Sequence, residues 1–168
     1  MFGVLLEKRP VLVVDSAPSH AGVTTSVAAR VVEEQCVHTQ CFSLIHCCNR
    51  VEEWQPKMAT PSPESIDSAL GWLRLRSSTS SVGGAGPNPT HPHTLRCSIL
   101  AALNKAMSYA EADSIYLVTH GNRCMEIHTE LVAMAKKLPI PLHVVAIDCK
   151  SSDTLSTLKE LAGVTQGR

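Results

Sequence analysis

Two kinds of apolar pattern alternate along the chain. Short continuous runs end in polar or turn residues: P-V-L-V-V-D at 10–15, S-I-Y-L-V-T at 114–119 and P-L-H-V-V-A-I-D at 141–148. Runs of this kind suit strands covered on both faces, as in a parallel sheet flanked by helices. Between them, apolar residues recur every three or four positions, the helical period. Val23, Val27, Ala28, Val31 and Val32 mark a helix over 21–36. Leu95, Ile99, Leu100, Leu103 and Met107 mark one over 94–109, and Ile127, Leu131, Met134 and Ala135 one over 125–138.

The remaining elements follow from turn and cap chemistry. Residues 40–47 (Q-C-F-S-L-I-H-C) read as a second strand, with Phe42, Leu44 and His46 on one face and Cys41, Ser43, Ile45 and Cys47 on the other. Asn49-Arg50 is a turn, and V-E-E-W at 51–54 returns as a short antiparallel edge strand. Ser62 caps a helix that opens with Pro63 and runs to about Leu75, burying Ile66, Ala69, Leu70, Trp72 and Leu73. Ser152-Asp153 caps a last helix carrying Leu155, Leu158 and Leu161, and residues 163–168 are turn-rich with no final element. Residues 77–93, dominated by Ser, Gly and Pro, read as a flexible inserted loop. The order of elements implies one α/β domain over 1–168, Rossmann-like, with a mostly parallel central sheet, one antiparallel edge strand and helices on both faces.

Composition narrows the function. Of 168 residues, 44% are hydrophobic, enough for a packed core, and 15 basic residues balance 15 acidic ones. That balance gives no electrostatic footprint for nucleic acid or an anionic membrane. The opening apolar run is too short for a signal peptide, and its basic residues follow it. Seven cysteines, an odd number without C-x-x-C pairing, point to reduced thiols and an intracellular, cytoplasmic protein.

The pieces V-L-V-V-D-S-A-P-S (11–19), F-S-L-I-H-C-C-N-R-V-E-E-W (42–54) and S-A-L-G-W-L (68–73) come first in a characteristic order. I-L-A-A-L-N-K-A-M (99–107), S-I-Y-L-V-T-H-G (114–121), I-P-L-H-V-V-A-I-D-C (140–149) and K-E-L-A-G-V-T-Q-G-R (159–168) complete it. Together they resemble a von Willebrand factor A domain, most like the intracellular "domain-containing protein 3" group. The resemblance implies a further short strand and helix after the last piece, which this sequence does not contain. It also implies a metal-ion-dependent adhesion site at the carboxyl edge of the sheet. There a D-x-S-x-S loop, a threonine of a second loop and the aspartate of a T-D-G turn hold Mg²⁺, which takes a partner protein's carboxylate.

In this sequence Asp15 and Ser19 match two of those positions. Ala17 stands for the first serine, Cys97 for the threonine, and His120 for the aspartate in T-H-G. Soft or neutral groups are poor partners for Mg²⁺, so the expectation is a vestigial site with no cofactor. The alternatives are weak Mg²⁺ binding, or a Zn²⁺ site drawing on Asp15, Cys97 and His120 with His91, His93 or Cys124. If no metal binds, Asp15 accepts hydrogen bonds from its own loop and Ser19, and Ser19 and Thr119 hold loops. Ser16, Ser19, His20 and His120 supply hydroxyls and imidazoles, but there is no G-x-S-x-G elbow. Gly83-Gly84-Ala85-Gly86 lacks the Lys-Ser or Lys-Thr of a phosphate loop. His38, His46, His128 and His143 read as structural, and Trp54 and Trp72 as packing. The expected function is a non-enzymatic interaction or scaffold module with an unnamed protein partner.

Overall fold

A computed structural model describes residues 5–17, 20–79 and 92–168, with residues 78–79 and 92–98 described by backbone alone. Five strands form one sheet in the order β3-β2-β1-β4-β5. They are β1 (Pro10–Asp15), β2 (Ser43–Cys47), β3 (Val51–Glu53), β4 (Ser114–Thr119) and β5 (Leu142–Ala146). All neighbours run parallel except the β2–β3 hairpin. The α/β expectation therefore holds, including the antiparallel edge.

β1 is central because each of its residues is buried on both faces. Leu12 and Val14 join Phe42, Leu44, Ala28, Val31, Val32, Ile66, Ala69 and Leu73 on one side. That layer is supplied by α1 (Ala21–Glu34) and α2 (Pro63–Thr79). Val11 and Val13 join Ile45, Ile115, Leu117, Ile99, Leu103, Leu131, Leu158 and Leu161 on the other. Here the cover is α3 (Pro92–Met107), α4 (Asn122–Glu126), α5 (His128–Ala135) and α6 (Ser152–Val164). Each Val, Leu, Ile or Phe side chain among these contributes about 1.5–3 kcal/mol of transfer free energy when buried.

Several boundaries differ from the sequence expectation. The helix expected over 21–36 ends at Glu34, and Cys36–His38 form a 3-10 turn that brings Cys36 into the core. Its inward stripe is also shifted: Thr24 and Thr25 are buried while Val23 is 52% exposed. The threonine hydroxyls bond back to the carbonyls of His20 and Ala21, so a polar face can pack against the sheet. β2 begins at Ser43, and Phe42 instead makes an isolated antiparallel bridge to Ala59. α2 runs past Leu75, which is 61% exposed, to Thr79, and α3 starts at Pro92. Residues at both ends of the expected 77–93 loop are thus helical, because Pro suits a first helical position and Ser and Thr are tolerated in a last turn. The rest of that loop lies outside the described residues.

The single helix expected over 125–138 is two helices. α4 starts at Asn122, and Ile127 breaks the run with φ −125° and ψ 27° while its side chain is buried in the core. The cap of α6 is Ser151, whose hydroxyl accepts from Thr154 N at 3.3 Å, not the Ser152-Asp153 pair. The turn-rich end is placed by β5. Arg168 O accepts from Val144 N at 2.8 Å, and Gly167 lies so close that a Cβ there would sit 2.0 Å from Leu142 O.

Candidate functional site

The chain moves from β1 to β2 and β3 on one side, then returns to β4 and β5 on the other. The strand order therefore reverses between β1 and β4, and in open α/β sheets the crevice outside that reversal is where ligands bind. Asp15 ends β1 and Thr119 ends β4, so the two meet there.

Asp15 is 3% exposed. Thr119 Oγ1 donates to Asp15 Oδ2 at 2.6 Å and accepts from Gly121 N at 2.9 Å, which fixes the direction of its hydroxyl proton. The other carboxylate oxygen faces Arg123, whose Nη1 lies 2.8 Å from Oδ1. Arg123 also donates to the last carbonyl of β2 and the one just after it, Cys47 O at 3.4 Å and Cys48 O at 3.2 Å. Gly121, at φ 82°, makes the left-handed turn that starts α4 and brings Arg123 over the strand ends. Burial pushes the Asp15 carboxyl above the ordinary aspartate range, and the Arg123 guanidinium and the Thr119 hydroxyl offset part of that rise.

Beside this pair lies a cleft of about 130 Å³ lined by His20, His120, Asn122, Asp148, Lys150 and Ser151. The rings of His20 and His120 lie against each other, tilted by 31°, with centroids 4.3 Å apart. Desolvation, and secondly the neighbouring His20, hold His120 below the usual imidazole range. Cys149 Sγ donates to His120 O at 2.9 Å, and Asp148 takes φ 47° to turn the chain from β5 into α6.

Of the expected ligand positions, Asp15 stands at the centre, and Thr119, expected only to hold a loop, is bonded to it. Ala17 contributes its carbonyl, which accepts from His20 N at 2.9 Å. His120 turns its ring to His20 and the cleft. Ser19 and His91 lie outside the described residues, and Cys97 and His93 sit on α3 with side chains outside them. Cys124 is fully buried, 3.9 Å from the Thr119 hydroxyl. Among the described residues no group of three or more His, Cys, Asp or Glu is placed to hold a metal ion.

His46, His128, His143 and both tryptophans sit in packing or ion-pair positions, while His38 is exposed on the 3-10 turn. His46 meets Trp72 edge-on at 6.3 Å, and His143 stacks on Tyr116 at 4.5 Å. His128 pairs with Glu160 at 3.0 Å, and Trp54 stacks on Phe42 at 5.2 Å. The residue that sequence reasoning missed is Arg123. Its one signal was a cation two positions after the glycine that follows β4, close to an edge already carrying an aspartate.

Two human proteins are similar to the whole chain. One is von Willebrand factor A domain-containing protein 3A, 22% identical over 175 residues that make up 14% of its length. The other is von Willebrand factor A domain-containing protein 3B, 25% identical over 171 residues, 12% of its length. The two hold a match across every element of a sheet with the order and parallel pairing described above. The chain carries a von Willebrand factor A-like domain. No family model matches it. The domain spans about one-eighth to one-seventh of the length of these relatives. No helix among its described residues is long and apolar enough to cross a membrane.

Proposed function

We propose that this von Willebrand factor A-like domain is a protein-interaction module that binds its partner without a metal ion and performs no catalysis. The observation that carries the reading is the state of Asp15. Its carboxylate, the ligand that the resemblance would give to Mg²⁺, has one oxygen on Thr119 and the other on Arg123. Ala17 has no side-chain oxygen, and His120 offers a nitrogen, a poor donor for a hard ion that favours an octahedral oxygen shell. This donor set does not fit Mg²⁺. The partner surface left at the sheet's carboxyl edge is then the cleft of His20, His120, Asn122 and Lys150. Three buried, unpaired cysteines, Cys36, Cys47 and Cys124, support residence in a reducing compartment.

The test is affinity capture with the immobilised chain, run once in millimolar Mg²⁺ and once in EDTA. The same proteins should be retained in both, and the double variant His20→Glu, Lys150→Glu should lose them. Retention that depends on Mg²⁺, or that ignores the cleft variant, would count against this reading.

A further inference from the structure

The guanidinium of Arg123 lies among oxygens. Asp15 Oδ1 is 2.8 Å from Nη1, Cys47 O is 3.4 Å from the same nitrogen, and Cys48 O is 3.2 Å from Nη2. A carboxylate and two backbone carbonyls are donors that a hard cation accepts. Here the positive charge is part of the chain. The planar fork of arginine suits the task, because it reaches a carboxylate and carbonyls together from one rigid group. Its side chain is 12% exposed, so the pair is little screened by solvent.

We infer that Arg123 is the resident cation of the carboxyl edge, a positioning residue that closes Asp15 to external cations and ties the ends of β1 and β2 to α4. The inference rests on reading this edge as metal-free. The surroundings of Asp15 give the charge nowhere else to go. Beneath it are the buried thiols of Cys47 and Cys124, both held neutral because burial pushes their pKa up, that of Cys124 to about 12. A carboxylate left alone there must take up a proton or another cation. Restoring oxygen ligands by Ala17→Ser, Cys97→Thr and His120→Asp therefore leaves the edge closed as long as Arg123 remains. Removing the guanidinium is the decisive change, which reverses the order of importance that the five ligand positions suggest by themselves.

Thermal unfolding of the full chain tests this. The parent should melt at one temperature in EDTA, millimolar Mg²⁺ and millimolar Mn²⁺. Arg123→Ala should melt lower and regain part of the loss when Mg²⁺ or methylguanidinium is added at concentrations too low to denature. Asp15→Asn, Arg123→Ala should respond to neither cation, since a ligand stabilises the fold only where it has a folded-state site. A parent stabilised by Mg²⁺, or an Arg123→Ala chain indifferent to both cations, overturns the inference. If Arg123→Ala does not fold, the parent still decides the matter by NMR. Mn²⁺ should leave the amide signals of Asp15, Ser16 and Thr119 unbroadened, and broadening there overturns the inference. Arg123→Lys, which keeps the charge, should be as indifferent to metal as the parent. Failure here appears as a cation response of the isolated chain, whereas failure of the interaction reading appears as a change in captured partner.

Discussion

Asp15 and Arg123 form a buried pair whose members are safe only together. Breaking a buried ion pair from one side leaves an uncompensated charge and costs about 3–5 kcal/mol, while replacing both partners with apolar residues of like size is often near neutral. Arg123→Met should therefore lower stability by about 3–5 kcal/mol in urea unfolding, and Asp15→Leu, Arg123→Met should recover most of it. His46 makes a second prediction at this scale. Burial lowers its pKa from 6.5 to about 4, although Glu52 pulls the other way. Well above pH 6.5 the imidazole is neutral in both states and contributes no pH dependence. As the pH falls from there towards 4, the unfolded chain takes up a proton that the folded chain rejects, so stability drops. The full effect is about 3 kcal/mol. His46→Leu should flatten the stability profile across that window, measured as urea midpoints at a series of pH values. A variant with the same slope as the parent would show that His46 is not responsible.

At the scale of elements, the turns decide more than the helices. Gly121 starts α4 at φ 82°, and a Cβ there would sit 2.4 Å from Thr154 Cγ2 and 3.1 Å from Leu158 Cδ1 of α6. Left-handed backbone at a residue with a Cβ costs about 1–2 kcal/mol before any clash is counted. Gly121→Ala should therefore destabilise by at least about 2 kcal/mol and also loosen Arg123, which hangs from the same turn. In the Gly121→Ala chain, differential scanning calorimetry should show the lower melting temperature, and the thermal-shift response to Mg²⁺ should begin to appear. The 3.6-residue period located α1, α3 and α6 well, because each presents one apolar stripe to a sheet. It missed the break at Ile127, where two short helices keep the same period while the chain bends to bury one side chain. It also took Val23 for core, since pattern alone does not reveal that threonine hydroxyls can satisfy themselves on the helix backbone.

For the whole molecule, the sheet joins two cores that share the backbone of β1. Leu12 faces the layer of α1 and α2, and Leu117 faces the layer of α3 to α6. Both are fully buried. Leu12→Ala and Leu117→Ala should each cost about 2–5 kcal/mol. Each should also unfold the chain in a single transition, because neither layer can lose its contact with the sheet alone. Coincident far-ultraviolet and tryptophan-fluorescence curves would bear this out, as Trp54 and Trp72 report on only one layer. Separated curves would show that the layers melt independently.

The sequence by itself determined the α/β class, the five strands and the carboxyl edge as the place to look. Continuous apolar runs can be buried only between two layers, and a carboxylate at the end of such a run must stand at the sheet's rim. Sequence also showed that Ala17 carries no hydroxyl and that His120 carries an imidazole, because side-chain chemistry is written in residue type. Only the tertiary structure decided what Asp15 does. Its partners, Thr119 and Arg123, lie 104 and 108 positions away along the chain and meet it only because β1 and β4 are neighbours. The strand order that makes them neighbours comes from packing both faces of one sheet, and the reach of Arg123 comes from a left-handed turn at Gly121. Charge compensation in a buried site depends on distances through space, and no local pattern of residues encodes those.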